Sequence, residues 1–322
     1  MGLGLLGRGL NDAIFLAECG ARLTVTDLKS KEALAPTLKK LKKYKNISYV
    51  LGKHRQEDFA NRDMILKSAG VPLDSPYIAE ARKNGIPIEM DASLFAKLAP
   101  EVKIVGVTGT RGKTTTTMLI YEMLKLAKKK RAIKGKIFLG GNIKGVATLP
   151  FLKNVKSGDI VLLELDSWQL QGFGEVSVSP HIAVFTNFMD DHLNYYKNDR
   201  QAYWNDKANI FSNQKPGDFL IAPKEMLKKI QIAYPQVKSH FVVPLSVPHT
   251  WNLAVKGEHN KHNAALACAV GSALNLDEDI IKETVIRFKG VEGRLEHVAT
   301  INGVEIYNDT TSTTPDALAA AM

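Results

Sequence analysis

Cysteine is almost missing: the 322 residues hold two, Cys19 and Cys268. Both lie in helix-like apolar patterns and make no metal or redox spacing, so thiol-based chemistry is excluded. No apolar run approaches the roughly 20 residues that cross a bilayer, and no membrane span is expected. The N-terminus shows no charged n-region and no small-residue cleavage site. Met1-Gly2 is no myristoylation signal either, because position 6 is Leu6 rather than Ser or Thr. Internal repeats and low-complexity tracts are absent too. Together these absences predict a cytoplasmic protein without a membrane partner. Acidic residues are also in deficit, leaving a net charge of +10 that gathers in lysine clusters at Lys39–Lys45 and Lys125–Lys136. These runs lack interleaved aromatics and no reading motif accompanies them, so nucleic acid is not an expected partner. Solvated helix faces account for most of the excess, and the remainder is read as steering of anionic small ligands.

A chain that is 45% apolar can bury a full core, and more than one at this length. Its most informative stretch is Val105-Gly106-Val107-Thr108-Gly109-Thr110-Arg111-Gly112-Lys113-Thr114-Thr115. A short apolar strand runs into a glycine-rich loop, and Gly-Lys-Thr then opens a helix. Such a loop curls backbone N–H groups around phosphate oxygens while the helix turns its positive end toward them. Lys113 is expected to reach the β- and γ-phosphates, and the Thr114 hydroxyl to sit on magnesium. Gly106 stands one residue earlier than the strict Walker spacing, with Gly109 between it and Gly112.

Strands alternate with helices over most of the chain, which argues for an α/β fold with a parallel sheet covered on both faces. The first unit opens with Gly2-Leu3-Gly4-Leu5-Leu6-Gly7, continues as a helical pattern through Cys19, and reaches the strand Leu23–Asp27. Asp27 follows Gly7 by 20 residues, the outline of a dinucleotide fingerprint. The strand that should precede Gly2 is not in the sequence, so the N-terminus reads as clipped or unusual. Further strands are expected at Ile47–Leu51, Asp63–Lys67 and Ile86-Pro87-Ile88, with a helix over Ala79–Asn84. A second unit is predicted from strands Ile104–Val107, Ile160–Leu163, Ile182–Thr186 and Phe219–Ala222. Helices follow from His259 to Leu274 and from an Asp277 N-cap to Phe288. Asn302-Gly303 between Glu296–Ile301 and Val304–Tyr307 signals a hairpin. An alanine-rich helix then starts at Thr314-Pro315-Asp316.

In an open parallel sheet, ligands bind beyond the carboxyl ends of the strands. Three polar elements fall there: the phosphate loop, Glu164 in Glu164-Leu165-Asp166-Ser167-Trp168-Gln169-Leu170, and Asn187-Phe188-Met189-Asp190-Asp191-His192. A carboxylate beside the loop suits magnesium, which takes few protein oxygens. Taken alone, Glu164 could equally be a surface carboxylate, and His192 could be structural. Lys207 reads by spacing as an exposed lysine. Asn260 and Asn263, three apart at a helix start, are as readily caps as ligands.

Thr108-Gly109-Thr110-Arg111-Gly112-Lys113-Thr114-Thr115 resembles the ATP loop of the muramyl ligases, the ATP-dependent amide-forming enzymes of peptidoglycan synthesis. Gly140-Gly141-Asn142-Ile143, the Glu164–Leu170 run, Asp191-His192, Gly257-Glu258-His259-Asn260-Lys261-His262-Asn263 and Gly293-Arg294-Leu295-Glu296 recur in that family's order. Gly-Asn-Ile together with Glu164–Leu170 is similar to the branch that adds D-glutamate. The resemblance implies a Rossmann-like UDP-substrate domain over 1–92, a P-loop ATPase-type domain over 93–292, and the start of a third α/β domain over 293–322. It implies an ATP site at Gly109, Thr110, Arg111, Gly112, Lys113, Thr114, Thr115, Asn260, Arg294 and Asp309. It implies two magnesium ions held by Thr114, Glu164, His192 and a carbamylated Lys207, with Lys113, His192 and Lys207 as catalytic residues. Leu5, Leu6, Gly7, Lys29, Asn142 and Ser167 would contact the UDP-muramoyl substrate.

The reaction so implied joins D-glutamate to UDP-N-acetylmuramoyl-L-alanine through an acyl phosphate, in a monomer. A sister ligase adding alanine or a folate glutamate, or a nucleotide-binding module without turnover, are the alternatives. A nicotinamide dehydrogenase rests on Gly2–Gly7 and Asp27 alone. The sequence departs from the family at Arg111, where asparagine is usual, at Ser68-Ala69-Gly70 for Ser-Pro-Gly, and at Thr311 for lysine. Residues 293–322 fall far short of the family's third domain, so the chain is expected to bind the UDP substrate yet turn over poorly.

Overall fold

The computed structural model describes residues 1–311, and the helix expected from Thr314 lies outside the described residues. Helix α1 (Arg8–Glu18) starts from Gly7, which takes a left-handed φ of 92°. It buries Leu10, Ala13 and Ala17 against a small core with Leu34, Leu41 and Ile47. Strand β1 (Leu23–Asp27), helix α2 (Ala35–Leu41) and strand β2 (Ile47–Leu51) follow, and β1 pairs with β2 in parallel. Strand β3 (Ile65–Leu66), helix α3 (Pro76–Lys83) and strand β4 (Ile88–Glu89) make a second parallel pair. The first residues lie between the two pairs. The Gly2 N–H donates to the Thr26 carbonyl at 2.8 Å on one side, and the Met1 amine donates to Leu66 at 2.8 Å on the other.

Helix α4 (Asp91–Leu98) leads into strand β5 (Lys103–Thr108), helix α5 (Lys113–Lys129), strand β6 (Ile137–Gly141) and strand β7 (Ile160–Glu164). Helix α6 (Ser167–Glu175), strand β8 (Ile182–Phe185), helix α7 (Arg200–Ala208), strand β9 (Phe219–Ile221), helix α8 (Lys224–Ala233) and strand β10 (His240–Val242) continue the alternation. Six strands form one parallel sheet in the order β10-β9-β8-β5-β7-β6. Successive side chains point to opposite faces of a strand, and the burial follows. Ile104, Val161, Leu163, Ala183 and Phe185 pack against α4, α6, α7 and α8. Val105, Val107, Ile160, Leu162 and Val184 pack on the other face against α5, α9 (Glu258–Ala273) and α10 (Glu278–Arg287). Strands β11 (Glu296–Ile301) and β12 (Val304–Asn308) form the expected antiparallel hairpin, with Asn302 and Gly303 both at positive φ.

The structure corrects several element readings. The sheet has two more strands than the four predicted, because β6 ends in two glycines and β10 is a three-residue edge strand. Pairing at β4 starts later than Ile86 because Pro87 has no N–H and offers only its carbonyl, to the Ile65 N–H at 2.9 Å. Asp277 stands at the N-cap of α10, but its side chain makes no cap hydrogen bond. Gly106 lies within β5, in line with the strand expected over Ile104–Val107. A Cβ there would stand 2.5 Å from Pro180 Cγ and 3.2 Å from Leu165 Cδ1, so the glycine serves close packing. Gly106→Ala is therefore expected to destabilise the fold by about 1–3 kcal/mol. The urea midpoint measures it, and an unchanged midpoint would contradict the packing assigned to this position.

Candidate functional site

Three strand ends meet at the carboxyl edge of the sheet. After β5 the chain turns through Gly109 at φ 140° and Gly112 at φ 80°. Any Cβ at these two positions would collide, with the Thr186 hydroxyl and with the Asn263 side-chain amide respectively. α5 starts from Gly112 with no side-chain cap, so its first-turn N–H groups are presented to the loop, the arrangement that binds anions. Lys113 Nζ turns back into the loop and donates to the carbonyls of Gly109 at 3.0 Å and Thr110 at 3.1 Å. Burial lowers its pKa, against the pull of Glu164 and Asp166.

Glu164 closes β7 and is only 3% exposed. Its Oε1 accepts from Asn142 Nδ2 at 3.5 Å, and its Oε2 is buried without a partner. Burial raises its pKa, opposed by Lys113, the Thr114 hydroxyl and Arg294. Arg294 Nη2 donates to Thr114 Oγ1 at 3.0 Å, and Asp309 accepts the Leu295 N–H at 3.1 Å, steadying the turn that carries Arg294. Thr115 is buried in the first turn of α5. Ser167 opens α6 beneath an Asp166–Gln169 capping box and is buried beside the Tyr196 hydroxyl.

The segment after β8 is stitched to the loop. The Thr110 N–H donates to the Asn187 carbonyl at 2.9 Å, and the Arg111 N–H to Asn187 Oδ1 at 2.8 Å. The Met189 N–H donates to Thr110 Oγ1 at 2.9 Å, and Arg111 Nη1 pairs with Asp191 Oδ2 at 3.0 Å. His192 follows at φ 54°, 3.8 Å from the Asp191 carboxylate and with its ring 4.9 Å from that of Trp168. Lys207 is not the exposed residue that its spacing suggests. It is 1% exposed on α7, its Nζ donates to the Gly109 carbonyl at 2.8 Å, and it lies 4.9 Å over the Tyr203 ring. Burial, then Lys113, drive its pKa well below the usual lysine range. Asn260 bonds the Lys256 carbonyl at 2.8 Å and accepts from Asn263 at 3.4 Å, which places the asparagine pair directly behind Gly112.

On the N-terminal side a cavity of about 760 Å³ opens between α1 and the edge of the large sheet. Leu5, Leu6, Lys29 and Asn142 line it together with Arg8 and Lys144. Gly7 is not in its wall but packs against Gly145. Asp27 does not face the cavity as a ribose ligand would: its two oxygens accept the N–H groups of Gly4 and Lys29, each at 2.8 Å. Arg8 reaches across to the Gly141 carbonyl at 2.9 Å and to Asn142 Oδ1 at 3.4 Å. Asn142 in turn contacts Glu164, which links the cavity wall to the carboxyl edge of the large sheet. Arg8 and the pair Asp12 and Asp91 escaped the sequence reading, since nothing in their spacing marks them.

Residues 107–243 match the Mur ligase middle domain, and residues 1–89 match the MurD-like N-terminal domain of Mur ligases. The chain is 34% identical to the UDP-N-acetylmuramoylalanine–D-glutamate ligase of Roseiflexus sp. (strain RS-1), over 100% of this chain and 74% of that one. This chain belongs to the Mur ligase family. The equivalently named Borreliella burgdorferi (strain ATCC 35210) enzyme is 36% identical, over 98% of this chain and 71% of its own length. Among solved structures, the UDP-N-acetylmuramate-alanine ligase of Thermotoga maritima has a TM-score of 0.58 at 23% identity, over 99% of this chain and 75% of that one. The MurF ligase of the same organism, solved with ADP, has a TM-score of 0.55 at 20% identity, over 83% and 72%. Mur ligases are ATP-dependent and form amide bonds, and this membership replaces the dehydrogenase reading.

The cavity floor carries the clearest pH dependence. Asp12 is buried, hydrogen-bonds Asp91 and leaves Oδ1 without a partner. Asp91 accepts the N–H groups of Thr148 at 2.9 Å and Leu149 at 2.6 Å. Burial, then Asp91, raise the Asp12 pKa well above the ordinary carboxyl range, against Arg8 and the N-terminal amine. A raised folded pKa gives stability that is full at acid pH and lost as pH climbs toward that value. Asp12→Asn keeps a donor for Asp91 without titrating, so the variant should gain stability over wild type between about pH 5 and about pH 8. Thermal unfolding across that range checks it, and parallel pH curves would contradict it.

Proposed function

We propose that this Mur ligase joins D-glutamate to UDP-N-acetylmuramoyl-L-alanine at the expense of ATP, as a cytoplasmic monomer in peptidoglycan synthesis. The observation that carries the reading is the convergence of Lys113, Thr114 and the unpartnered Glu164 Oε2 at a phosphate loop, with Asn142 tying Glu164 to the wall of the 760 Å³ cavity. The choice of amino acid rests on the MurD-like N-terminal match and on the names of the relatives.

The division proposed is a UDP-substrate domain over 1–92, an ATP domain over 93–292 and a third domain from 293. Leu5, Leu6, Lys29, Asn142 and Ser167 are assigned to the UDP substrate. Gly109, Thr110, Arg111, Gly112, Lys113, Thr114, Thr115, Asn260, Arg294 and Asp309 are assigned to ATP. A buried carboxylate oxygen without a partner beside a threonine hydroxyl fits magnesium, which prefers hard oxygen donors. Thr114 and Glu164 would hold that ion, which supplies charge neutralisation between the phosphates. His192 and Lys207 would hold a second, with Lys207 carbamylated.

Carbamylation needs a neutral amine, which the depressed Lys207 pKa favours. The nitrogen of the neutral amine would form a bond to the carbon of CO₂ and release one proton, turning the amine into an anionic carbamate. In the reaction Lys113 binds the transferring phosphoryl group and stabilises its charge. The N–H groups of Gly112, Lys113 and Thr114 hold the phosphates. The substrate carboxylate attacks the γ-phosphorus, ADP leaves, and the D-glutamate amine then displaces phosphate from the acyl carbon.

A coupled assay of the full-length protein tests this. D-glutamate is expected to drive phosphate release from ATP in the presence of UDP-N-acetylmuramoyl-L-alanine. Release driven by another amino acid would move the chain to a sister ligase. Lys113→Ala should lower kcat by about 10²–10³-fold, and near-normal turnover in that variant would remove Lys113 from the proposed mechanism.

A further inference from the structure

Arg111 stands in the phosphate loop, and its assignment to ATP does not use its side-chain geometry. Its backbone is fixed at both ends, since its N–H donates to Asn187 Oδ1 at 2.8 Å and its carbonyl accepts the Thr186 hydroxyl. From that fixed base the guanidinium pairs with Asp191 Oδ2 at 3.0 Å. Asp191 Oδ1 accepts the backbone N–H of His192 at 2.9 Å. One carboxylate therefore bridges the loop guanidinium to the histidine backbone, and His192 holds a left-handed φ of 54° that is uncommon for a non-glycine residue.

We propose that Arg111 is a positioning residue: through Asp191 it fixes the backbone of His192, and so couples the conformation of the nucleotide loop to the orientation of that histidine. An asparagine at 111 is too short to make this tie. The consequence for catalysis rests on the ligase reading above. The structural tie does not.

Trp168 supplies the reporter, because its ring centroid lies 4.9 Å from that of His192 and shifts the imidazole proton resonances. The protein has eight histidines, so His192→Gln identifies the His192 signals in spectra of ¹³C-histidine-labelled full-length protein. The expected result is that Arg111→Asn and Asp191→Asn each collapse the ring-current shift of His192, and that Arg111→Lys restores part of it. In steady state each asparagine variant should lower kcat by about 10- to 100-fold, with Asp191→Asn matching the kcat loss of Arg111→Asn. The double variant should be no worse than either single one, as groups acting through one another behave.

Two results would overturn the proposal. One is an unmoved His192 spectrum in Arg111→Asn. The other is a loss confined to ATP and ADP affinity that Asp191→Asn does not reproduce, which would make Arg111 a phosphate ligand instead. Wild-type protein without D-glutamate-dependent turnover would sink the ligase reading alone, since the spectra are read without substrate.

Discussion

Two lysines from different helices donate to one backbone oxygen, and the site is arranged around that fact. Lys113 Nζ and Lys207 Nζ reach the Gly109 carbonyl at 3.0 and 2.8 Å, Lys113 half-buried and Lys207 fully buried. Two ammonium groups this close in a low-dielectric setting repel each other, and each lysine is lowered in pKa by burial. A carbonyl dipole alone does not balance two cations. The arrangement is relieved by an anion in the loop, by loss of a proton from Lys207, or by its conversion to a carbamate. All three belong to the chemistry proposed for this edge.

The fold makes that convergence possible. Gly109 follows the central strand of six, so its carbonyl faces α5 from its own loop and α7 from beyond the neighbouring strand. The stitching of Thr110 and Arg111 to Asn187, Met189 and Asp191 then holds the loop open as a cradle before any ligand arrives. On the other flank, β7 delivers Glu164 to the same edge in register, since Val107 pairs with Glu164. Preorganised groups of this kind need little rearrangement when charge develops.

Much of this was legible in the sequence. The phosphate loop, the strand-end Glu164 and the Asn302-Gly303 hairpin follow from local pattern. So does the α/β alternation, because glycine spacing and apolar runs report local backbone geometry. Lys207 could not be read that way. A lysine in a polar helix looks exposed, and only the packing of α7 against the loop buries it. Gly106 could be placed on its strand by pattern, but its need for glycine could not, since Pro180 and Leu165 impose it through contacts more than fifty residues away. The Asp12 and Asp91 pair lies at a junction between distant segments, so its shared proton has no sequence signature. The family resemblance supplied what spacing lacked at Lys207 and Asn142, though not the tie from Arg111 to Asp191.

The central claim is that this edge transfers the γ-phosphoryl group of ATP to a substrate carboxylate. Oxygen-18 in the alanyl carboxylate of UDP-N-acetylmuramoyl-L-alanine follows that transfer directly. The account predicts that phosphate released by the full-length protein with ATP and D-glutamate carries one labelled oxygen. Unlabelled phosphate alongside amide product would contradict it.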